Sequence, residues 1–309
     1  MRALRIATVV ILASVFSFSS QSALACACGC GVFEVGGAGV MPSGQGGTAY
    51  LEFDYADQNR NWHGDSRAPA ADNDDKAVRN AFYTAGLQYM FNREWGMEVR
   101  VPYIYRAFTT TDDATGDIVT NRHGAVGDIR LTGIYTGFSP DMSTGIMFGV
   151  KLPTGDYHFD GFDRDTAIGT GSTDSLLGFY HQDRITKDNV YTWFAEAMWD
   201  QPILTHGDYR PGTEINASLG AYHKPLPLAG KLKITPVLQL IGTTRMRDTG
   251  AEAMRDDSGY NRLAIAPAVE LSYGNAKLYG DVEVPVWQQF NGNQLTAPAL
   301  FKVIASYEF

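Results

Sequence analysis

The residues best suited to chemistry are Cys26, Cys28 and Cys30, which are all the cysteines of the chain. Thiolates this close together suit a soft ion such as Cu(I), whereas a zinc site would need a fourth ligand that the neighbouring residues do not offer. In an oxidising compartment, two of the thiols could form a strained, labile disulfide. A third alternative is a lipid on Cys26, although Leu24 stands two residues before it and the usual lipidation signal has leucine three residues before. The sequence thus predicts a soft-metal site, with the other two roles open.

Histidine and aspartate occur together in polar segments between apolar runs. His63, His123, His158 and His206 each have an aspartate nearby in sequence, and none stands beside a recognisable nucleophile motif. Solvated loop residues account for this pattern more readily than a hydrolase site, which needs a nucleophile, a base and an orienting group. The Asp-rich stretch 156–165 lacks the regular ligand spacing of a Ca²⁺-binding loop. We therefore expect no catalytic residue and no enzyme activity.

Charged residues of both signs alternate with apolar residues along the predicted strands. Successive side chains of a strand point to opposite faces, so these charges share one face. Two roles are open for them: a ladder of ion pairs that makes the wall rigid, or a hydrated path whose charges select solutes. The candidate lumen-lining residues are Glu52, Asp54, Glu98, Arg100, Arg106, Asp128, Arg130, Lys151, Glu196, Asp200, Lys277, Asp281, Glu283 and Lys302.

The last stretch, Thr296–Phe309, shows this alternation most clearly. Every second residue back from Phe309 is apolar or aromatic, and the residues between them include Lys302 and Glu308. In a soluble sandwich the apolar face would line a core, whereas in an outer-membrane barrel it would face lipid. A strand that ends in phenylalanine resembles the C-terminal signature that the barrel-assembly machinery reads. We therefore expect that machinery to be a partner.

Twelve alternating segments can be counted, and the connections between them alternate between long and short. An even strand number and short turns on one side are typical of bacterial outer-membrane barrels. Soluble sandwiches and propellers are disfavoured because their strands are shorter than the 9–11 residues that a tilted membrane strand needs. Aromatic residues also stand at the strand ends, as an interface girdle requires. The predicted fold is all-β: a transmembrane antiparallel β-barrel of about 12 strands.

The N-terminal residues have a separate role. A basic start, the apolar run Ile6–Phe18 and the small residues Ala23-Leu24-Ala25 predict a secretory signal peptide over 1–25. A Cys- and Gly-rich segment follows over 26–47, and the barrel over 48–309. The net charge of −9 gives no basic footprint for nucleic acid. These features predict the outer membrane of a Gram-negative bacterium, with membrane lipid as the surroundings.

Two motifs resemble a known family. The stretch Gly124–Leu131, with its glycine and aspartate at Gly127 and Asp128, and the stretch Gly149–Tyr157, with lysine, leucine, proline, threonine, glycine and aspartate in order, resemble the outer-membrane proteins typified by the meta-pathway phenol-degradation family. The resemblance implies a barrel that passes small, often hydrophobic organic molecules. From the residues themselves, we expect Gly127 and Gly149 to thin the wall and the prolines to end strand pairing at the outer rim.

The sequence thus supports two functions of different classes. The first is an outer-membrane channel or transporter for a small-molecule solute, with hydrophobic or aromatic compounds as candidates. The second is a structural or docking barrel with a closed lumen, whose Cys-rich N-terminus binds a soft metal ion or a periplasmic partner. The segment 26–47 is too glycine-rich to form a stable strand. Its apolar residues, among them Val40 and Met41, could pack against the inner wall.

Overall fold

The computed structural model describes residues 41–42 and 44–309, which form one antiparallel β-sheet. The predicted signal peptide and the three cysteines lie outside the described residues. The strands are β1 (Gly46–Gln58), β2 (Arg60–Gly64), β3 (Ser66–Arg67), β4 (Asp75–Met90), β5 (Trp95–Thr111), β6 (Ile118–Val126), β7 (Ile129–Tyr135), β8 (Thr144–Leu152), β9 (Ser172–Arg184), β10 (Tyr191–Thr205), β11 (Glu214–His223), β12 (Leu226–Ala229), β13 (Leu232–Arg245), β14 (Tyr260–Tyr273), β15 (Ala276–Thr296) and β16 (Leu300–Glu308).

Twelve of these strands close into a barrel. Neighbours pair in the order β1, β4, β5, β7, β8, β9, β10, β11, β13, β14, β15 and β16, and β16 returns to pair with β1. Closure leaves the twelve-strand wall without a free edge. The predicted fold class and strand number are therefore confirmed. Among the described residues, no helix has the length and apolar character needed to cross a membrane.

The two faces of the wall carry the predicted side chains. On β1, Leu51 is exposed while Glu52 and Asp54 are buried, and on β16 Phe301 and Val303 are exposed while Lys302 is buried. The exterior is thus apolar and the interior polar, the reverse of a soluble protein. An exposed apolar exterior on a closed barrel is stable in lipid, where every backbone group must be paired within the wall. The strands therefore lie in the outer membrane of a Gram-negative bacterium.

The short strand β6 is a departure from the predicted strands. The alternation of the sequence predicts one strand over Ala125–Phe138, after a loop, but the chain leaves the sheet at Gly127 and Asp128. Before that break, β5 and β6 form a long hairpin held by a cross-strand pair of hydroxyls, Thr109 and Thr120, 2.9 Å apart. The hairpin extends beyond the end of the barrel because polar, β-branched residues pair well in a solvated sheet.

Strand β15 is the second departure. The sequence predicts a strand over Ala276–Trp287 and a loop through Asn291–Asn293, but the strand continues through these residues to Thr296. The extension is stabilised by pairing with β2, which the sequence indicated as loop. The turn residues of this stretch do not end the strand because Gly292 takes a φ of 63°, a conformation that glycine adopts without cost.

Candidate functional site

The candidate site is the lumen of the barrel, and the structure brings the predicted charged residues to its inner face. Of the fourteen, the fully buried ones are Glu52, Asp54, Arg106, Asp128, Lys151, Asp200, Asp281, Glu283 and Lys302, and the half-buried ones are Glu98, Arg100, Arg130, Glu196 and Lys277. Lys277 stands apart near the periplasmic rim, where it pairs with Glu308 at 2.6 Å. That these residues line a conducting path stays a prediction.

One part of the lumen wall consists of paired charges. Arg130 on β7 and Asp200 on β10 are 3.1 Å apart, although 70 residues separate them in sequence. Lys151 on β8 contacts Asp174 on β9 and lies 3.9 Å from Asp200. In these contacts two cations meet two carboxylates, so their charges are matched. The ion-pair role that the sequence left open is therefore realised on this side.

The wall formed by β1, β16 and β15 has more acidic groups. Lys302 on β16 is the cross-strand neighbour of Asp54 on one side and of Asp281 on the other. Glu52 is paired with Arg100 at 2.7 Å. Glu283 is fully buried, and neither of its carboxylate oxygens has a hydrogen-bond partner. Buried carboxylates usually accept hydrogen bonds, so the oxygens without a partner set this part of the wall apart.

A cavity of about 130 Å³ lies between the two walls. Its lining includes Asp54 and Arg100 from the first wall, Lys151 and Asp200 from the second, and apolar side chains such as Ile104. Charged groups of both signs thus face one space together with apolar patches. Such a lining can hold water and small organic molecules.

The loop between β8 and β9, residues 153–171, bends into the barrel over this cavity. Thr166, Ala167 and Ile168 are buried although the composition of the loop predicted an exposed segment. Arg106, which is completely buried, donates from Nη1 to the carbonyl oxygens of Thr166 at 2.5 Å and Ala167 at 2.8 Å. Its Nε donates to Asn80 at 2.5 Å. Arg106 therefore positions this loop rather than facing open solvent.

The two sequence motifs meet at the base of the same loop. The hydroxyl of Thr154 donates to the carbonyl of Gly127 at 2.7 Å and accepts from the backbone N–H of Ile129 at 2.9 Å. The carboxylate of Asp128 accepts from the backbone N–H of Gly155 at 3.0 Å. Thr154 thus bonds to the backbone, and Gly155 to the Asp128 side chain, where the chain leaves the sheet between β6 and β7. The motifs therefore serve to anchor the loop.

Close packing at this junction explains two of the glycines. A Cβ on Gly155 would lie 2.8 Å from the Cα of Gly169 and 3.0 Å from that of Gly127. A Cβ on Gly149 would lie 2.1 Å from the carbonyl oxygen of Leu131. A larger residue at Gly155 would push the loop away from the wall, and one at Gly149 would clash with the backbone of β7. That Gly127 and Gly149 thin the wall stays a prediction, and Pro153 follows directly on the end of β8.

The periplasmic half of the lumen contains an apolar cluster. Tyr50, Phe194, Val237, Tyr279 and Ile304 come from five strands and pack together. Two of the rings lie against glycines of the next strand: a Cβ on Gly86 would be 2.0 Å from the ring of Tyr50, and one on Gly220 2.4 Å from that of Phe194. The half-buried Met41 also packs against this cluster. The expectation that Met41 contacts the inner wall therefore agrees with the structure.

Histidine contacts on the outer side of the loop are structural. The ring of His123 on β6 stacks on Phe159 with centroids 3.7 Å apart, and its Nε2 lies 3.1 Å from Asp156. His206 contacts the backbone carbonyl of Gly171 at 3.1 Å. These contacts fix the outer part of the loop to β6 and β10. Within the described part of the chain, no three residues of the metal-binding types converge on an ion site.

Acidic groups from the wall and the loop also meet outside the lipid. The exposed outward pair of Arg79 and Asp57 lies above the apolar band, and Asp75 lies four residues further out on β4. Burial, followed by the charges of Asp163 and Asp165, raises the pKa of Asp75 to about 8. Burial also raises the pKa of Asp163. The carboxyls of Asp75 and Asp163 therefore favour the protonated form.

The family described as "Putative MetA-pathway of phenol degradation" matches residues 62–297. The chain belongs to this family. The resemblance noted in the two motifs is thereby confirmed. No curated protein sequence matches the chain.

Solved structures show the same fold. An outer-membrane channel from Pseudomonas putida F1 superposes with a TM-score of 0.64 at 12% identity, covering 89% of this chain and 100% of that one. The β domain of a Bordetella autotransporter superposes with a TM-score of 0.52 at 14% identity, covering 86% of this chain and 100% of that one. At these identities the likeness concerns the fold, and both structures support the outer-membrane barrel.

Proposed function

We propose that this protein is an outer-membrane channel that passes small organic molecules, with hydrophobic or aromatic compounds among them. The observation that carries the proposal is the lumen: two charged walls and apolar side chains surround a cavity inside a closed barrel. A barrel built only for mechanical support could fill this space with apolar side chains. The family description, which names phenol degradation, favours aromatic compounds among the solutes.

Passage requires the β8–β9 loop to move. The cavity of about 130 Å³ is smaller than the 300–1,000 Å³ or so of a typical site for a drug-sized ligand. The loop closes it on the outer side through Arg106 and Asp128, and the cluster around Tyr50 and Phe194 narrows the lumen on the periplasmic side. We infer that the loop is the gate, since it is joined to the wall by hydrogen bonds rather than by strand pairing.

Conductance in planar bilayers and solute uptake by liposomes test the channel. The purified, detergent-folded barrel should give discrete current steps and should admit small aromatic solutes faster than protein-free liposomes do. Heat-modifiable gel migration provides the control for folding. A folded barrel with neither current nor uptake would refute the channel and would favour the docking barrel, for which the periplasmic cluster with Met41 offers a closed lumen.

The same proposal covers enzyme activity, barrel assembly and metal binding. The protein acts as a channel and not as an enzyme, since His123 is engaged by Asp156 and Phe159 in a structural contact. The barrel-assembly machinery recognises the terminal strand that ends at Phe309. Cys26, Cys28 and Cys30 bind Cu(I) or another soft ion weakly, as an accessory to transport.

A further inference from the structure

The wall formed by β1, β16 and β15 contains buried carboxylates with few cationic partners. Asp54 and Asp281 flank Lys302 in the strand register, and Glu283 lies one inward position further along β15. Arg100 pairs with Glu52, so its charge is already matched. Lys302 is therefore shared by Asp54, Asp281 and Glu283 as well as by Glu52, with Arg262 as a further cation near Glu283.

The hydrogen bonds of these carboxylates are incomplete. Tyr279 and Gln239 donate to Oδ2 of Asp281 at 2.7 and 3.3 Å. Oδ1 of Asp281, Oδ1 of Asp54 and both oxygens of Glu283 are buried and have no hydrogen-bond partner. Glu283 is fully buried, and its charged neighbours are Lys302, Asp281, Arg262 and Glu52. A buried carboxylate oxygen without a donor is stabilised by a nearby cation.

We propose that Asp54, Asp281 and Glu283 form a cation-attracting site in the lumen wall, which makes the channel prefer small cations, including organic ammonium ions, over anions. The inference rests on the proposed channel function. The carboxylates do not converge as metal ligands in the described part of the chain. The site therefore acts through its electric field on hydrated or weakly bound cations. Rings of acidic side chains select cations in other channels by the same means.

The opposite wall does not cancel this field. There, Arg130 pairs with Asp200 and Lys151 with Asp174, so that each cation faces its own carboxylate. Asp54 also lines the cavity directly, which places one acidic group of the site next to passing solute. A field of one sign in a low-dielectric lumen raises the local concentration of the opposite ion.

Reversal potentials in planar bilayers under a KCl gradient test the inference. The wild-type channel should prefer K⁺ over Cl⁻. Each of Glu283→Gln and Asp54→Asn should lower the permeability ratio by about threefold, because each removes an acidic group near the path. Asp256→Asn is the matched control: Asp256 is 97% exposed in a loop, so the same charge change there should leave the ratio unaltered. If the Glu283→Gln barrel does not assemble, the permeability ratio of Asp54→Asn still tests the inference.

The outcomes separate the two proposals. A current without cation preference, or a preference for anions, overturns the inference and leaves the channel intact. A wild-type cation preference that neither Glu283→Gln nor Asp54→Asn reduces would overturn the assignment of the site. A correctly folded barrel that carries no current in any salt would refute the channel and the inference with it.

Discussion

The carboxylate of Asp128 accepts two hydrogen bonds from Thr170, one from the backbone N–H at 2.8 Å and one from the hydroxyl at 2.6 Å. Together with the bond from Gly155, they tie the beginning and the end of the β8–β9 loop to one side chain. Asp128 is the aspartate of the glycine-aspartate motif. Asp128, which belongs to the motif that resembles the family, thus holds both ends of the loop that we infer to be the gate.

Asp128→Ala should open the gate. Hydrogen bonds to a charged acceptor contribute about 1.5–3 kcal/mol each, so the closed loop should lose several kcal/mol of stability. We expect larger mean conductance and faster proteolytic cleavage within 153–171, while heat-modifiable migration shows the barrel still folded. Asp117→Ala, at an exposed turn, is the control and should change neither. Unaltered conductance and cleavage in a folded Asp128→Ala barrel would contradict the inference that Asp128 holds the loop closed.

Arg106→Met should destabilise the closed loop from the other side. The substitution keeps much of the volume but leaves Asn80 and the carbonyls of Thr166 and Ala167 without their donor. Each buried group left unsatisfied costs about 1–3 kcal/mol. Thermal unfolding should therefore begin at a lower temperature. Arg79→Met removes only an exposed pair with Asp57, worth about 0–1 kcal/mol, and should show little change; equal effects would count against a special role for Arg106.

Loop closure should depend on pH through Asp75. The closed state raises the pKa of this carboxyl to about 8, so it binds more protons than the open state between the ordinary value near 4 and about 8. Closure is therefore strongest at low pH and weakens as the pH rises through this window. Proteolysis of the loop should accelerate from pH 5 to pH 8. Asp75→Asn should flatten the profile, and a profile that stays steep would assign the effect to another group.

Phe309→Ala should slow assembly. The terminal backbone pairs with Gly47 in both directions at 2.8 Å, and a Cβ on Gly47 would lie 2.3 Å from the ring of Phe309. Removal of the ring should lower the folded fraction in cells, measured by heat-modifiable migration. Phe91→Ala, another exposed aromatic residue at a periplasmic turn, serves as the control. Loss of folding in both variants to the same extent would indicate a general aromatic effect rather than recognition of the terminus.

Replacement of Cys26, Cys28 and Cys30 by serine should leave the barrel assembled, since the twelve strands of the wall run from Gly46 to Glu308. Under reducing conditions, the wild type should take Cu(I) from a competing chelator and the triple variant should not. Equal Cu(I) binding by the two forms would remove the metal role. Mass spectrometry of the wild type separates a lipid on Cys26 from free thiols.

The sequence by itself determined the strands and their faces. Alternation with period two is a local property, readable from each stretch without knowledge of its neighbours. It therefore identified Glu52, Asp54 and Lys302 as inward and Phe301 and Val303 as outward. The predicted strand ends were wrong where contacts with other parts of the chain set them, as at Gly127 and in the extension of β15 beside β2.

Only the tertiary structure decided which charges meet and where the long loop goes. Arg130 pairs with Asp200, and Arg100 with Glu52, because closure of the barrel brings distant strands around one lumen. The Asp- and Gly-rich composition of 153–171 predicted a solvated loop. It bends inward because Asp128, between β6 and β7, and Arg106, on β5, supply the acceptor and donors that its backbone needs. Those partners are set by strand register and closure, which depend on the whole chain and not on any single stretch of it.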